Sequence, residues 1–166
     1  MLIFNRKKLK RKVLGFSLFE VLVVLSIIGL VIISVPSMFA WLDRQGVLLA
    51  VDQLRSDLQL ARMTAIRAQQ PCAVDVHSPE PEQYTNSITR QTCRLSGFRG
   101  GVHFLTHGPD GRVAANRLEF NRQGMSTTVV PRDLFLADRD IHAVFRIRIT
   151  MPGGISVSRW TGDHWN

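Results

Sequence analysis

Three patterns of apolar and polar residues follow one another along the chain. From Phe16 to Leu42 the residues are almost all apolar, and Glu20 is the only charge. A helix of roughly 20 residues crosses the hydrocarbon core of a bilayer, so this run is long enough with a turn or two to spare. From Asp43 to Gln70 the pattern becomes amphipathic. Val47, Val51, Leu54, Leu58, Ala61, Ala65 and Ala68 recur at spacings of four and three, while Asp52, Arg55, Asp57, Gln59, Arg62 and Arg67 fall outside that stripe. The spacing predicts one helix face against a core. Pro71 ends the helix. The prediction is a single helix of roughly 50 residues, loosened near Ile32 by Pro36.

From Cys72 the period changes to two. Short strands are predicted at 73–77, 83–89, 102–106, 117–121, 127–130 and 134–136, with polar turns at 78–82 and 108–111. The clearest hairpin comes last. Phe145, Ile147, Ile149 and Met151 alternate with Arg146, Arg148 and Thr150. Pro152-Gly153-Gly154 turns the chain, and Ile155, Val157 and Ser158 return it. The predicted class is α+β, a long N-terminal helix packed on an antiparallel β-sheet domain. Its segments are 1–15, 16–42, 43–70 and 71–166.

Charge orients this arrangement. The formal net charge is +8, and Arg6, Lys7, Lys8, Lys10, Arg11 and Lys12 supply six of it with no acid among residues 1–15. Residues 16–166 carry only +2. A basic flank before an apolar span places the N-terminus in the cytoplasm and Asp43 onward outside. The competing reading, a secretory signal, suits neither the length of the apolar run nor the absence of a small-x-small site at its end. Glu20 stands out, because an unpaired carboxylate at membrane depth costs on the order of a few kcal/mol and so points to a function. The alternative is a shallow Glu20 that reaches the headgroups. Cys72 and Cys93 are the two cysteines. In an oxidising compartment they favour a disulfide that would add on the order of 3 kcal/mol. Two unpaired thiols are the alternative.

Enzyme chemistry is not expected. His103 and His107 are four apart, but in a strand and turn that spacing does not place them on one face, and no acid or cysteine completes a ligand set. No nucleophile elbow or phosphate-binding glycine loop occurs. Neither a cofactor nor a metal is implied.

Gly15-Phe16-Ser17-Leu18-Phe19-Glu20, after a lysine-rich leader and before the apolar run, resembles the processing signal of type IV pilins and type II secretion pseudopilins. Two further stretches are similar to the GspH/FimT branch. One is 54–67, running into a proline and a strand. The other is 118–126, with Phe120, Gly124 and Ser126 in an F-x-x-x-G-x-S pattern. The resemblance implies cleavage between Gly15 and Phe16 by a prepilin peptidase and methylation of the new Phe16 amine. It also implies that Glu20 pairs with the N-terminal amine of a neighbouring subunit. The implied protein is a minor pilin or pseudopilin, at or near the tip of a type IV pilus or secretion pseudopilus. It would be a single-pass protein of the bacterial inner membrane with its β-domain periplasmic, and its partners would be other pilins. Some members of the branch bind DNA through a Gly-Arg-x-Arg hairpin. This chain has Gly153-Gly154-Ile155-Ser156 there, so any DNA contact would fall to Arg146, Arg148 and Arg159 with Trp160 and Trp165 for stacking. A membrane-anchored binding protein that never polymerises is the third reading.

Overall fold

The structure is a computed structural model that describes residues 17–77 and 82–166, without the side chains of 33–40 and 43–44. The leader at 1–15, the Gly15–Phe16 junction and most of the 78–82 turn lie outside the described residues. A single helix, α1, spans Leu18–Ala68 and is unbroken at Pro36. The Ser17 carbonyl accepts the backbone N–H groups of Glu20 and Val21, which sets the first turn. At the other end Gln69 adopts φ +52° and the Gln70 N–H donates to the Ala65 carbonyl, so the chain leaves the helix just before Pro71.

The chain divides into two compact units, one up to Met38 and one from Phe39 to Asn166. In the first, every large apolar side chain described from Leu18 to Ile32 is exposed. In the second, the rest of α1 packs with two four-stranded antiparallel sheets. The strands are β1 (Cys72–Val76), β2 (Gln83–Asn86), β3 (Thr92–Arg94), β4 (His103–Leu105), β5 (Arg117–Phe120), β6 (Arg132–Ala137), β7 (Val144–Ile149) and β8 (Ile155–Arg159). One sheet runs β3-β2-β1-β5 and the other β4-β6-β7-β8. The Ala115 N–H donates to the Asp133 carbonyl, which ties the segment before β5 to β6.

The predicted helical stripe is the buried one. Val47, Val51, Leu54, Leu58, Ala61 and Ala65 are buried together with Val74, Leu118 and Phe120 of the first sheet and Leu134, Leu136, Ile147 and Ile149 of the second. Ala68 is exposed, because the helix ends there. The α+β class is as expected, with two differences among the strands. β3 pairs with β2 as an edge strand that carries no apolar alternation. Residues 127–130 are not a strand. Thr128 Oγ1 lies 3.2 Å from both the Ser126 hydroxyl and the Val130 carbonyl, which closes a local turn and leaves Val129 and Val130 exposed.

Candidate functional site

Three groups of predicted site residues occupy different places. Glu20 lies in the first turn of α1, beside Val21, Val24 and Leu25. A carboxylate there faces the positive end of the helix dipole. Among the described residues no cation is paired with it. The side chains around it are exposed, with Leu18 at 83 %, so this turn presents one acid within an apolar surface. Among the described residues no helix is long and apolar enough to cross a membrane. The apolar sequence continues through 33–40, whose side chains are outside the description.

Arg146 and Arg148 occupy the outer face of the second sheet and are partnered there, which corrects the expectation that they lie free for a ligand. The exposed Arg159 is opposite Phe145 and therefore does not share their face. Asp133 and Arg148 are cross-strand partners in the β6–β7 register. The guanidinium donates twice to the carboxylate, Nε to Oδ1 and Nη2 to Oδ2, both at 2.7 Å. Arg112 approaches the same carboxylate at 3.4 Å. Burial alone would raise the Asp133 pKa. The hydrogen bonds from Arg148 and its charge outweigh that and hold the carboxyl below its usual range. The same pairing raises the pKa of Arg148.

Arg146, two pairs along the register and on the same face, is opposite Phe135 and only 11 % exposed at its side chain. Its guanidinium lies 4.4 Å from the Trp165 ring centre, and its nearest acid is Asp110 at 4.0 Å. Its Nε has no hydrogen-bond partner among the described residues. Burial and the neighbouring Arg148 depress its pKa. The Trp165 face supplies the compensation that a hydrogen bond would otherwise give.

The cover over Arg146 is the C-terminal segment. Arg159 and Asn166 exchange backbone hydrogen bonds at 2.7 and 2.9 Å, and Trp160 bridges Trp165. The Thr161 N–H donates to the His164 carbonyl and closes the turn between them. Trp165 then packs near Phe135 and Trp160 and donates its Nε1–H to Asp110 at 3.0 Å. Of the three arginines and Trp160 expected to meet DNA, Arg159 alone is exposed, and Trp160 is half-buried. The sequence pattern singled out Arg146, Arg148 and Trp165 but did not reveal Asp110 and Asp133 as their partners.

The expected disulfide is absent: Cys72 and Cys93 are both free thiols. The register explains why. Cys93 is opposite Tyr84, and Tyr84 is opposite Val76, four residues beyond Cys72 on β1. The two cysteines are therefore two strands apart and offset by about 13 Å along the strand. A disulfide needs Cα atoms within about 7 Å. Burial raises the Cys72 pKa, despite hydrogen bonds from its surroundings that lower it. Nearby, Tyr84 donates its hydroxyl to Asp57 of α1 at 2.6 Å, a polar link inside the helix–sheet contact. Burial, then Asp57, raises the Tyr84 pKa.

Gly124 of the 118–126 stretch and Gly153 of the last hairpin meet at one side chain. Arg62 Nε donates to the Gly124 carbonyl at 2.9 Å, and its Nη2 reaches the Pro152 carbonyl at 3.4 Å. Gly124 and Gly153 have φ of +75° and +80°, and a Cβ on Gly153 would collide with the Gly124 carbonyl oxygen. His103 and His107 make local contacts with Gly101 and Thr106. Among the described residues no group of three or more His, Cys, Asp or Glu could hold a metal ion.

Residues 10–35 match the prokaryotic N-terminal methylation motif. No curated protein matches the chain. Two crystal structures of the type IV minor pilin FimU from Pseudomonas aeruginosa share the fold. One has a TM-score of 0.55 at 14% identity and covers 76% of this chain and 96% of that one. The other, in a second crystal form, has a TM-score of 0.50 at 12% identity and covers 70% and 94%. The chain is type IV pilin-like, with the N-terminal methylation motif and the fold of a minor pilin.

Proposed function

We propose that the chain is a minor subunit of a type IV pilus or a type II secretion pseudopilus, of the GspH/FimT type. The observation that carries this reading is the methylation motif at 10–35 together with Glu20 in the first turn of an apolar helix. In this reading a prepilin peptidase cuts between Gly15 and Phe16 and methylates Phe16. The helix holds the subunit in the inner membrane, with residues 43–166 in the periplasm, until assembly. Cleavage creates a positive amine near the only carboxylate of the apolar run. Pairing the amine of one subunit with Glu20 of the next relieves two desolvation costs together. The subunit then joins other pilins, at or near the tip, and supports filament assembly or protein secretion.

Capture of DNA is the weaker reading. Arg146 and Arg148 already hold partners inside the domain, which leaves Arg159 as the exposed arginine of the set.

The test is a Glu20→Ala chain expressed in place of the native copy. The expected result is retention in the membrane, an N-terminus at methylated Phe16, and loss from sheared filaments. Recovery of the variant in filaments at the native level overturns the assembly role of Glu20. A deletion strain scored for surface pili and for secreted protein separates the two machines.

A further inference from the structure

A groove of about 310 Å³ is lined by Glu82, Ser96, Gly101, Val102, His103 and Arg139. Its walls come from the two sheets. Glu82 immediately precedes β2, and Ser96 lies in the turn at Leu95–Gly97 that follows β3. The Leu95 N–H donates to the Glu82 carbonyl at 2.9 Å and ties that wall together. His103 of β4 and Arg139, just beyond β6, form the other wall. There the Arg139 N–H donates to the Gly100 carbonyl at 2.9 Å. Val102 is buried at the base.

Gly101 fits the second wall together. Its φ is +63°, and a Cβ there would lie 3.0 Å from Arg139 Nε and 3.1 Å from Arg139 Cβ. The bare glycine therefore lets the arginine lie against the backbone. The Gly101 carbonyl is 3.3 Å from His103 Nδ1. A carbonyl only accepts, so Nδ1 carries the hydrogen and Nε2 of the neutral ring is left as an acceptor. Among the described residues the side chains of Glu82, Ser96 and Arg139 have no hydrogen-bond or ion-pair partner. The groove beside β5 differs, because its Arg117 is already paired with Asp75 and Glu119.

We propose that this groove binds a small zwitterionic peptide of dipeptide size. Arg139 receives the carboxylate, for which its planar fork offers two parallel hydrogen bonds. Glu82 on the opposite wall receives the ammonium group. The Ser96 hydroxyl and His103 Nε2 supply the donor and the acceptor that a single peptide C=O and N–H require. Opposite charges on the two walls select a zwitterion over a dianion, which Glu82 would repel. The volume is at the small end of ligand sites, roughly 300–1,000 Å³, and suits a short peptide rather than a long segment. The site does not depend on the filament reading.

The experiment titrates the full chain in detergent by calorimetry with dialanine, N-acetyl-dialanine, dialanine amide and inorganic phosphate. Dialanine is expected to bind saturably. Blocking either end is expected to weaken binding about tenfold or more, the scale of one lost bond to a charged group. Phosphate is expected to bind more weakly than dialanine. Arg139→Gln should make dialanine and its amide bind alike while the preference for a free amine stays. Glu82→Gln should do the converse. Both side chains are exposed, so thermal unfolding is expected to match that of the native chain. No saturable binding of dialanine, equal binding of the blocked forms to the native chain, tighter binding of phosphate, or variants that keep both preferences overturns the proposal.

Discussion

Arg62 of α1 donates its Nε–H to the Gly124 carbonyl at 2.9 Å, and the same side chain reaches the Pro152 carbonyl. One helix residue thus holds the turn after β5 and the turn between β7 and β8, which belong to different sheets. Arg62→Ala is expected to cost roughly 1.5–3 kcal/mol, the range for a hydrogen bond to a charged group. Gly153→Ala forces a Cβ into the Gly124 carbonyl and is expected to cost more. Thermal unfolding of both variants checks the order, and an Arg62→Ala chain as stable as the native one removes the clamp.

Asp133 makes stability depend on acid. Its carboxyl is held below the ordinary range when folded, so its contribution is present above about pH 4 and is lost as pH falls through the folded value. Asp133→Asn leaves Arg148 without its bidentate partner and is expected to cost roughly 3–5 kcal/mol, as when one member of a buried pair is removed. Urea unfolding at about pH 7 and about pH 3, on either side of the ordinary carboxylate range, checks both statements. The difference between native and variant should shrink at the lower pH.

The helix was legible because its stripe keeps one period from Val47 to Ala65, and one buried face is enough to write that period. β7 was legible for the same reason. β6 was read only at 134–136 because it is covered on both faces. Leu134 and Leu136 face the core, while Asp133 and Phe135 lie beneath Arg148, Arg146 and Trp165. The arginines looked free because their partners are distant in sequence: Asp110 and Trp165 are 55 residues apart and meet through a hydrogen bond. The cysteines looked paired because their count is even, and only the strand register separates them.

Tyr84 adds a limit at high pH. Its pKa is raised in the fold, so the unfolded chain ionises first, near about pH 10, and stability falls from there upward. Tyr84→Phe is expected to remove that alkaline loss while costing about 1–2 kcal/mol at neutral pH through the lost bond to Asp57. Unfolding of both proteins between about pH 8 and about pH 11 spans the ordinary tyrosine value and checks it. Parallel pH profiles would show that Tyr84 ionisation is not the cause.

The Trp165 cover can be tested through the arginine beneath it. Trp165→Ala removes the ring over Arg146, the contact with Phe135 and the bond to Asp110. Phe135 is fully buried, so uncovering it exposes apolar surface. The expected cost is roughly 3 kcal/mol or more, by analogy with aromatic truncation in a core. Trp165→Phe keeps a ring and loses the indole donor, so it is expected to retain most of that stability. Arg146→Met in the native chain separates the contributions, since it removes the charge that the ring compensates and keeps much of the volume. If packing dominates, Arg146→Met stays close to the native stability while Trp165→Ala falls well below it. Equal losses in the two variants would instead make the cation–ring contact the main contribution.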